Sequence, residues 1–200
     1  RAWSDGAGWA GEGGAELGTR REIPSTRDLY AVSRALEDHH IDALLVIGGY
    51  SAYEGIYTMM TERDRYPAFR IPTVCIPASI DNNLPGSELS IGTDTALNVI
   101  VEAMDKIKES GIASRRCFVV ETMGRDCGYL ALMSGIAAGA ERIYTNEDGI
   151  SLDALANDVH SLRESFAHGR RLFLAVRNET ASHISTTDIL ARRLEEAGWY

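Results

Sequence analysis

The chain lacks several features, and each absence narrows its class. No apolar stretch approaches the roughly 18 residues that a membrane-spanning helix needs, and no leader pattern is recognisable, so a soluble chain is expected. Lys and Arg never run longer than pairs and the formal net charge is -9, which argues against nucleic-acid or membrane-surface partners. An anionic small molecule is still admissible, because a few local arginines outweigh a diffuse negative background at short range. Cysteine is scarce. Cys75, Cys117 and Cys127 form an odd set without metal spacing; two of them lie in apolar strand-like runs, which fits reduced, buried thiols there and a cytoplasmic location. The five histidines, His39, His40, His160, His168 and His183, show no paired spacing for a metal and read as surface or structural residues. Repeats and low-complexity linkers are absent, and no Gly-x-Gly-x-x-Gly follows a strand, which leaves a nicotinamide-binding module without support. The abrupt ends, Arg1 and Tyr200, suggest a piece of something longer.

What is present is an ordinary globular composition over 200 residues, 44% hydrophobic and 24% charged, enough to bury the core of one large domain or two small lobes. The opening "GAGWAGEGGAELG" is too rich in glycine for regular structure. A helix follows, with Ser25 as its N-cap and Leu29, Val32 and Leu36 on one face. The run "IDALLVIGG" has the continuous apolar character of a strand buried on both faces of a parallel sheet. Alternation then continues to the end. Helices are expected at 51–63, 94–110, 128–140, 151–169 and 185–198, the last capped by Ser185 or Thr186. Strands are expected at 71–77, 115–122, 142–147 and 171–179. Such βαβ alternation implies an α/β fold with parallel sheets covered on both faces.

In such sheets ligands bind at the carboxyl ends of the strands. The segments there are "GGYSAYEG", "ASIDNNLPGSE", "TMGRDCGY" and "RNETASHIS", which together carry Asp81, Arg125, Arg177 and Glu179. One cleft receiving carboxylates, guanidinium groups and exposed backbone amides suits a phosphorylated, hydroxyl-rich small molecule. Gly48-Gly49 either lets a phosphate approach the backbone or lets strand and helix pack tightly. Asp81 is either a general base toward a sugar hydroxyl or an Asx-turn residue. Arg125, at a strand-to-helix junction, either joins free helix amides in binding an anion or pairs with Asp126. Arg115 and Arg116 are either solvated strand-start residues or reach another subunit, and Glu179 can hold sugar hydroxyls.

Taken together, "GGAELGTRR", "LLVIGGY", "IPASIDNNLPGSELSIGTDTALN", "RRCFVVETMGRDCGYLALMSGIAAGA" and "VRNE" resemble the phosphofructokinase family, in the family's order and over nearly the whole chain. The resemblance implies three-layer, doubly wound parallel sheets in two similar Rossmann-like lobes with the sugar-phosphate site between them. Residues 1–92 would belong to the nucleotide-side lobe and 93–200 to the sugar-phosphate-side lobe. It implies a glycolytic phosphotransferase moving phosphate from ATP to fructose 6-phosphate with Mg²⁺, in a homo-oligomer such as a tetramer. Asp81 matches the family's catalytic base. Ser79 and Asn83 match sugar-site contacts, and Met123, Gly124 and Arg125 the fructose-phosphate turn. Glu179 matches the carboxylate that binds sugar hydroxyls, and Arg116 an arginine supplied by an adjacent subunit. Arg21, with Gly48, Gly49, Tyr50 and Ser51, falls on the nucleotide side.

Catalytic members have an aspartate after the paired glycines, and this chain has Tyr50, a phenol where hard Mg²⁺ wants anionic oxygen. Tyr50-Ser51 fits neither the ATP nor the diphosphate donor pattern. "GGYSAYEG" is similar to the second, regulatory half of duplicated family members, which binds a sugar bisphosphate effector, whereas Asp81 is a feature of catalytic halves. The family's first strand and glycine-rich loop would precede Arg1, and its histidine and arginine loop would follow Tyr200.

Overall fold

The computed structural model describes residues 6, 8–14, 16, 18–19, 22–25, 27–184 and 187–196. These fall into two compact units, one of Arg1–Val46 with Ser51–Val74, the other of Ile47–Tyr50 with Cys75–Tyr200.

The first unit is built around α1 (Asp28–Asp38) and most of α2 (Tyr50–Thr61). Leu29, Met59 and Phe69 form its buried centre, with Val32, Leu36, Leu44 and Ile56 packed on them. This is the apolar face that the helical spacing implies. The start of α1 differs from the expected cap. The Ser25 carbonyl accepts the N–H groups of Asp28 and Leu29 at 2.9 and 3.2 Å, but its hydroxyl does not accept from the helix: with the Ser25 N–H it donates to the Asp28 carboxylate, at 2.7 and 2.9 Å. An acid in the first turn favours the helix dipole and offers a stronger acceptor than a hydroxyl. The glycine-rich opening is not wholly irregular, since Trp9–Gly11 forms one turn of 3-10 helix.

β1 (Leu44–Gly48) and β2 (Thr73–Pro77) form a two-stranded sheet. The expectation that β1 is buried on both faces does not hold. Its burial alternates, with Leu45 and Ile47 63% and 59% exposed, and Val74 of β2 is 60% exposed. A continuous apolar run permits burial on both faces, but the neighbours decide it, and among the described residues these side chains stay open. Cys75 and Cys117 are likewise only partly buried, and all three cysteines are free.

In the second unit, α3 (Thr93–Ser114) leads to β3 (Arg116–Thr122), then α4 (Tyr129–Ala138), β4 (Arg142–Tyr144), α5 (Leu152–Ala167), β5 (Leu172–Asn178) and α6 (Thr187–Glu196). The sheet order is β3-β5-β4, with β5 parallel to both neighbours. β5 is central, so helices cover both of its faces. Phe173 and Ala175 pack with Leu155, Leu162 and Phe166 of α5 and Leu190 of α6. Leu174 and Val176, one residue out of phase, pack with Met104 of α3 and Ala131 and Ala138 of α4. The period-2 alternation of a strand thus yields the three-layer α/β arrangement. β4 stops at Tyr144, because Thr145 turns out of the sheet to bond Asp148. Ser151 caps α5 as the sequence implies, accepting from Ala154 N–H at 3.1 Å. The cap candidates Ser185 and Thr186 lie outside the described residues. Among those residues, no helix is long and apolar enough to cross a membrane.

Candidate functional site

The segments after β2, β3 and β5 meet at one end of the second unit. After β2 the chain folds back on itself: Ile91 N–H returns to Pro77 O at 2.9 Å, and the α3 residue Thr93 donates its hydroxyl to Ser79 O at 2.8 Å. Asn82 closes the loop from inside. Its amide donates to Glu88 O at 3.1 Å, and its Oδ1 accepts from Ser90 N–H at 2.9 Å. The local turn chemistry therefore rests on Asn82, which has φ +52, and on Ser79, whose hydroxyl accepts from Asp81 N–H at 3.2 Å.

Asn83 reaches outward. Its amide donates to Arg125 O at 2.9 Å, tying the loop after β2 to the turn after β3, and its Oδ1 is buried without a protein partner. Cys127 makes a second tie, with Sγ 3.5 Å from Asn82 O. The turn after β3 is in turn joined to β5. Gly124 N–H donates to the Glu179 carboxylate at 3.0 Å, and Glu179 N–H donates to Thr122 O at 2.9 Å. Ser79, Asp81, Asn83, Gly124, Arg125 and Glu179 are therefore linked through short hydrogen-bonded steps. Arg125 and Met123 are exposed, Met123 to 52%. Arg125 makes no ion pair with Asp126 among the described residues, leaving its guanidinium available to an anion.

Two expectations about this end need correction. Arg177 does not belong to a ligand-facing set. It is 2% exposed and spends its guanidinium on the Glu121 carboxylate at 2.8 Å and the Ser182 carbonyl at 3.0 Å. A charge that deep in a strand must be paired within the protein. The amide at the start of α4 is not free for an anion either: Gly128 N–H donates to both oxygens of Glu147, at 2.9 and 3.1 Å. Sequence reading passed over Glu147 and Asn178, since a single acid after a short strand and a polar residue ending an apolar one are common patterns.

Arg116 is not brought to this end. It begins β3 and is exposed, at the opposite end of the strand from Thr122. Gly48 and Gly49 do adjoin the site: Gly48 O accepts Ala78 N–H at 3.0 Å, and a Cβ on Gly49 would come within 3.1 Å of Ser79 Cβ. That close approach favours the packing explanation for the second glycine. Tyr50 opens α2 and is 57% exposed, and Ser51 follows it in the first helical turn. Arg21 lies outside the described residues. No group of three or more His, Cys, Asp or Glu able to hold a metal occurs among the described residues, and Tyr50 presents a phenol where hard Mg²⁺ favours anionic oxygen.

A phosphofructokinase family model matches residues 1–199. The chain is 41% identical to ATP-dependent 6-phosphofructokinase 1 of Aspergillus oryzae, over 98% of this chain and 25% of that protein. It is 42% identical to the human platelet-type ATP-dependent 6-phosphofructokinase, again over 98% of this chain and 25% of the relative. It superposes on the Pichia pastoris phosphofructokinase in the T-state with a TM-score of 0.92 at 40% identity, covering 98% of this chain and 23% of that one. The Saccharomyces cerevisiae phosphofructokinase gives 0.93 at 38% identity, covering 99% and 27%. The chain thus spans about a quarter of the length of the curated relatives it matches. By sequence and by fold, it belongs to the phosphofructokinase family.

Proposed function

We propose that this chain contributes a fructose-phosphate-binding site to a 6-phosphofructokinase, an enzyme that moves phosphate from ATP to fructose 6-phosphate. The observation that carries the reading is the run of bonds from Asn83 to the Arg125 carbonyl and from Gly124 to Glu179. It ties together the loops that carry Arg125, Glu179 and the open Asn83 amide oxygen, which supports a site offering a guanidinium, a carboxylate and an amide acceptor, the groups a phosphorylated, hydroxyl-rich sugar needs. In this reading Arg125 takes the phosphate with Met123 and Gly124 shaping the turn, and Glu179 accepts sugar hydroxyls. Ser79 and Asn83 contact the sugar. Asp81 stands where a base would take the attacking hydroxyl's proton.

A second reading, a non-catalytic effector site for a fructose bisphosphate, is favoured by Tyr50, a phenol where a Mg²⁺-organising carboxylate would be needed. Under it Asp81 only hydrogen-bonds a sugar hydroxyl, and no phosphoryl step is assigned to this chain. Gly48, Gly49, Tyr50, Ser51 and Arg21 then mark a former nucleotide side. The assembly is proposed as a cytoplasmic homo-oligomer, a tetramer, in which exposed Arg116 serves a neighbouring copy's phosphate. Residues 1–92 and 93–200 are proposed as parts of the family's two lobes.

Titration calorimetry with fructose 6-phosphate and fructose 1,6-bisphosphate tests the shared core of both readings, and a coupled assay separates them. Saturable binding with turnover that Asp81→Asn abolishes supports the catalytic site. Binding without turnover supports the effector site. Absence of binding by either sugar sinks both.

A further inference from the structure

We infer that Asn178 is a positioning residue that holds the Gly124 turn and Glu179 in one arrangement. The inference rests on the sugar-phosphate reading for its ligand, but not for its geometry. Asn178 is the last residue of β5, is fully buried, and immediately precedes Glu179. A buried side-chain amide must use its bonding groups or bear the desolvation cost, and Asn178 uses both ends. Its Nδ2 donates to Gly124 O at 2.8 Å and to Cys127 O at 3.2 Å, both on the turn after β3. Its Oδ1 accepts Thr180 N–H at 3.0 Å and the Thr180 hydroxyl at 2.6 Å, both on the segment after β5. Two carbonyls on one side and two donors on the other leave a single sensible orientation of the amide.

This side chain therefore spans two segments that are also joined by the Gly124 N–H to Glu179 carboxylate bond, by Glu179 N–H to Thr122 O, and by the Thr180 hydroxyl 3.4 Å from Gly124 O. Gly124 is gripped from both sides, its carbonyl by Asn178 and its N–H by Glu179. An aspartate at 178 keeps the volume but presents oxygen to both carbonyls of the turn. The turn would be pushed away and the Glu179 bond lost with it, although residue 178 does not touch that bond.

The test reads that remote bond directly, by amide hydrogen exchange in Asn178→Asp. Exchange at Gly124 should quicken at least tenfold more than at buried amides of α5, such as Leu162. A role limited to general stability would quicken both alike. Fructose phosphate affinity should fall about tenfold in the single variant, but less than threefold when the same change is made on Glu179→Gln, because coupled sites are not additive. Equal losses in the two backgrounds, or unchanged relative exchange at Gly124, overturn the inference. If Asn178→Asp does not fold, Asn178→Ser removes both carbonyl-directed donors without adding a charge and should shift Gly124 exchange in the same direction by a smaller factor; no shift overturns the inference. Faster Gly124 exchange in a protein that binds no sugar phosphate would uphold the positioning role and sink the proposed function.

Discussion

Gly124 and Glu179, 55 residues apart, are joined by a backbone-to-carboxylate hydrogen bond of 3.0 Å. Parallel pairing of β3 with β5 makes this bond available, because Thr122 and Asn178 are register partners and the chain leaves both strands at the same level. One oxygen of Glu179 is thereby fixed, which orients the carboxylate in advance and, in the proposed sugar-phosphate site, would lower the entropy cost of binding.

Replacing Arg125 by alanine should weaken fructose phosphate binding by roughly 1.5–3 kcal/mol, the scale of a lost charge-assisted bond. Calorimetry on a variant with an unchanged unfolding temperature is the check, and unchanged affinity would take Arg125 out of the site.

Gly124→Ala should cost about 2–3 kcal/mol of stability, because a side chain is forced into a strained backbone region. Gly124 sits at φ +140, and a Cβ there would run into the Cys127 carbonyl and lie 2.7 Å from Asn178 Nδ2. Denaturant unfolding reads the cost. A neutral result would mean that the turn is free to rearrange.

Arg177→Met should destabilise by about 2–4 kcal/mol, since it strips bonds from two backbone carbonyls and from a carboxylate. Arg177→Lys should recover little, because an ammonium cannot reproduce a fork that serves Glu121, Glu179 O, Ser182 O and Thr187 together. Full rescue by lysine would show that charge alone matters at this position.

Alkaline pH should weaken the fold through Cys117. Burial, then the nearby Glu141 carboxylate, push its thiol from an ordinary 9.0 up to about 12. The folded value exceeds the unfolded one, so this contribution is fully present below pH 9.0 and is lost as pH rises toward about 12, where the unfolded chain gives up its proton first. Denaturation midpoints between pH 8 and 11 should fall less steeply in Cys117→Ala than in the parent. Identical profiles would exclude the effect.

Under the effector-site reading, Tyr50→Asp should not create Mg²⁺-dependent ATP binding, because one added carboxylate supplies a metal ligand but not the rest of a nucleotide site. Equilibrium dialysis of ATP with and without Mg²⁺ decides it. A metal-dependent gain in the variant would show that a latent nucleotide site survives.

Much of the fold was legible along the chain, because it depends on local period and composition. The stripe of Leu97, Ile100, Val101, Met104 and Ile107 marks α3, and the apolar run through Val176 marks β5. The motif order named the family and placed Asp81, Arg125 and Glu179 at strand ends. Which polar groups face a ligand was not legible, because that depends on partners far away in sequence. Arg125 and Arg177 look alike as arginines beside turns, yet one is exposed and the other is sealed against Glu121. Asn178 gains its role only when β3 and β5 lie side by side and bring a second strand's carbonyls within reach. Residue spacing carries helices, strands and family; hydrogen bonds act over about 3 Å, so only the folded chain decides which polar atoms meet and which are left for a substrate.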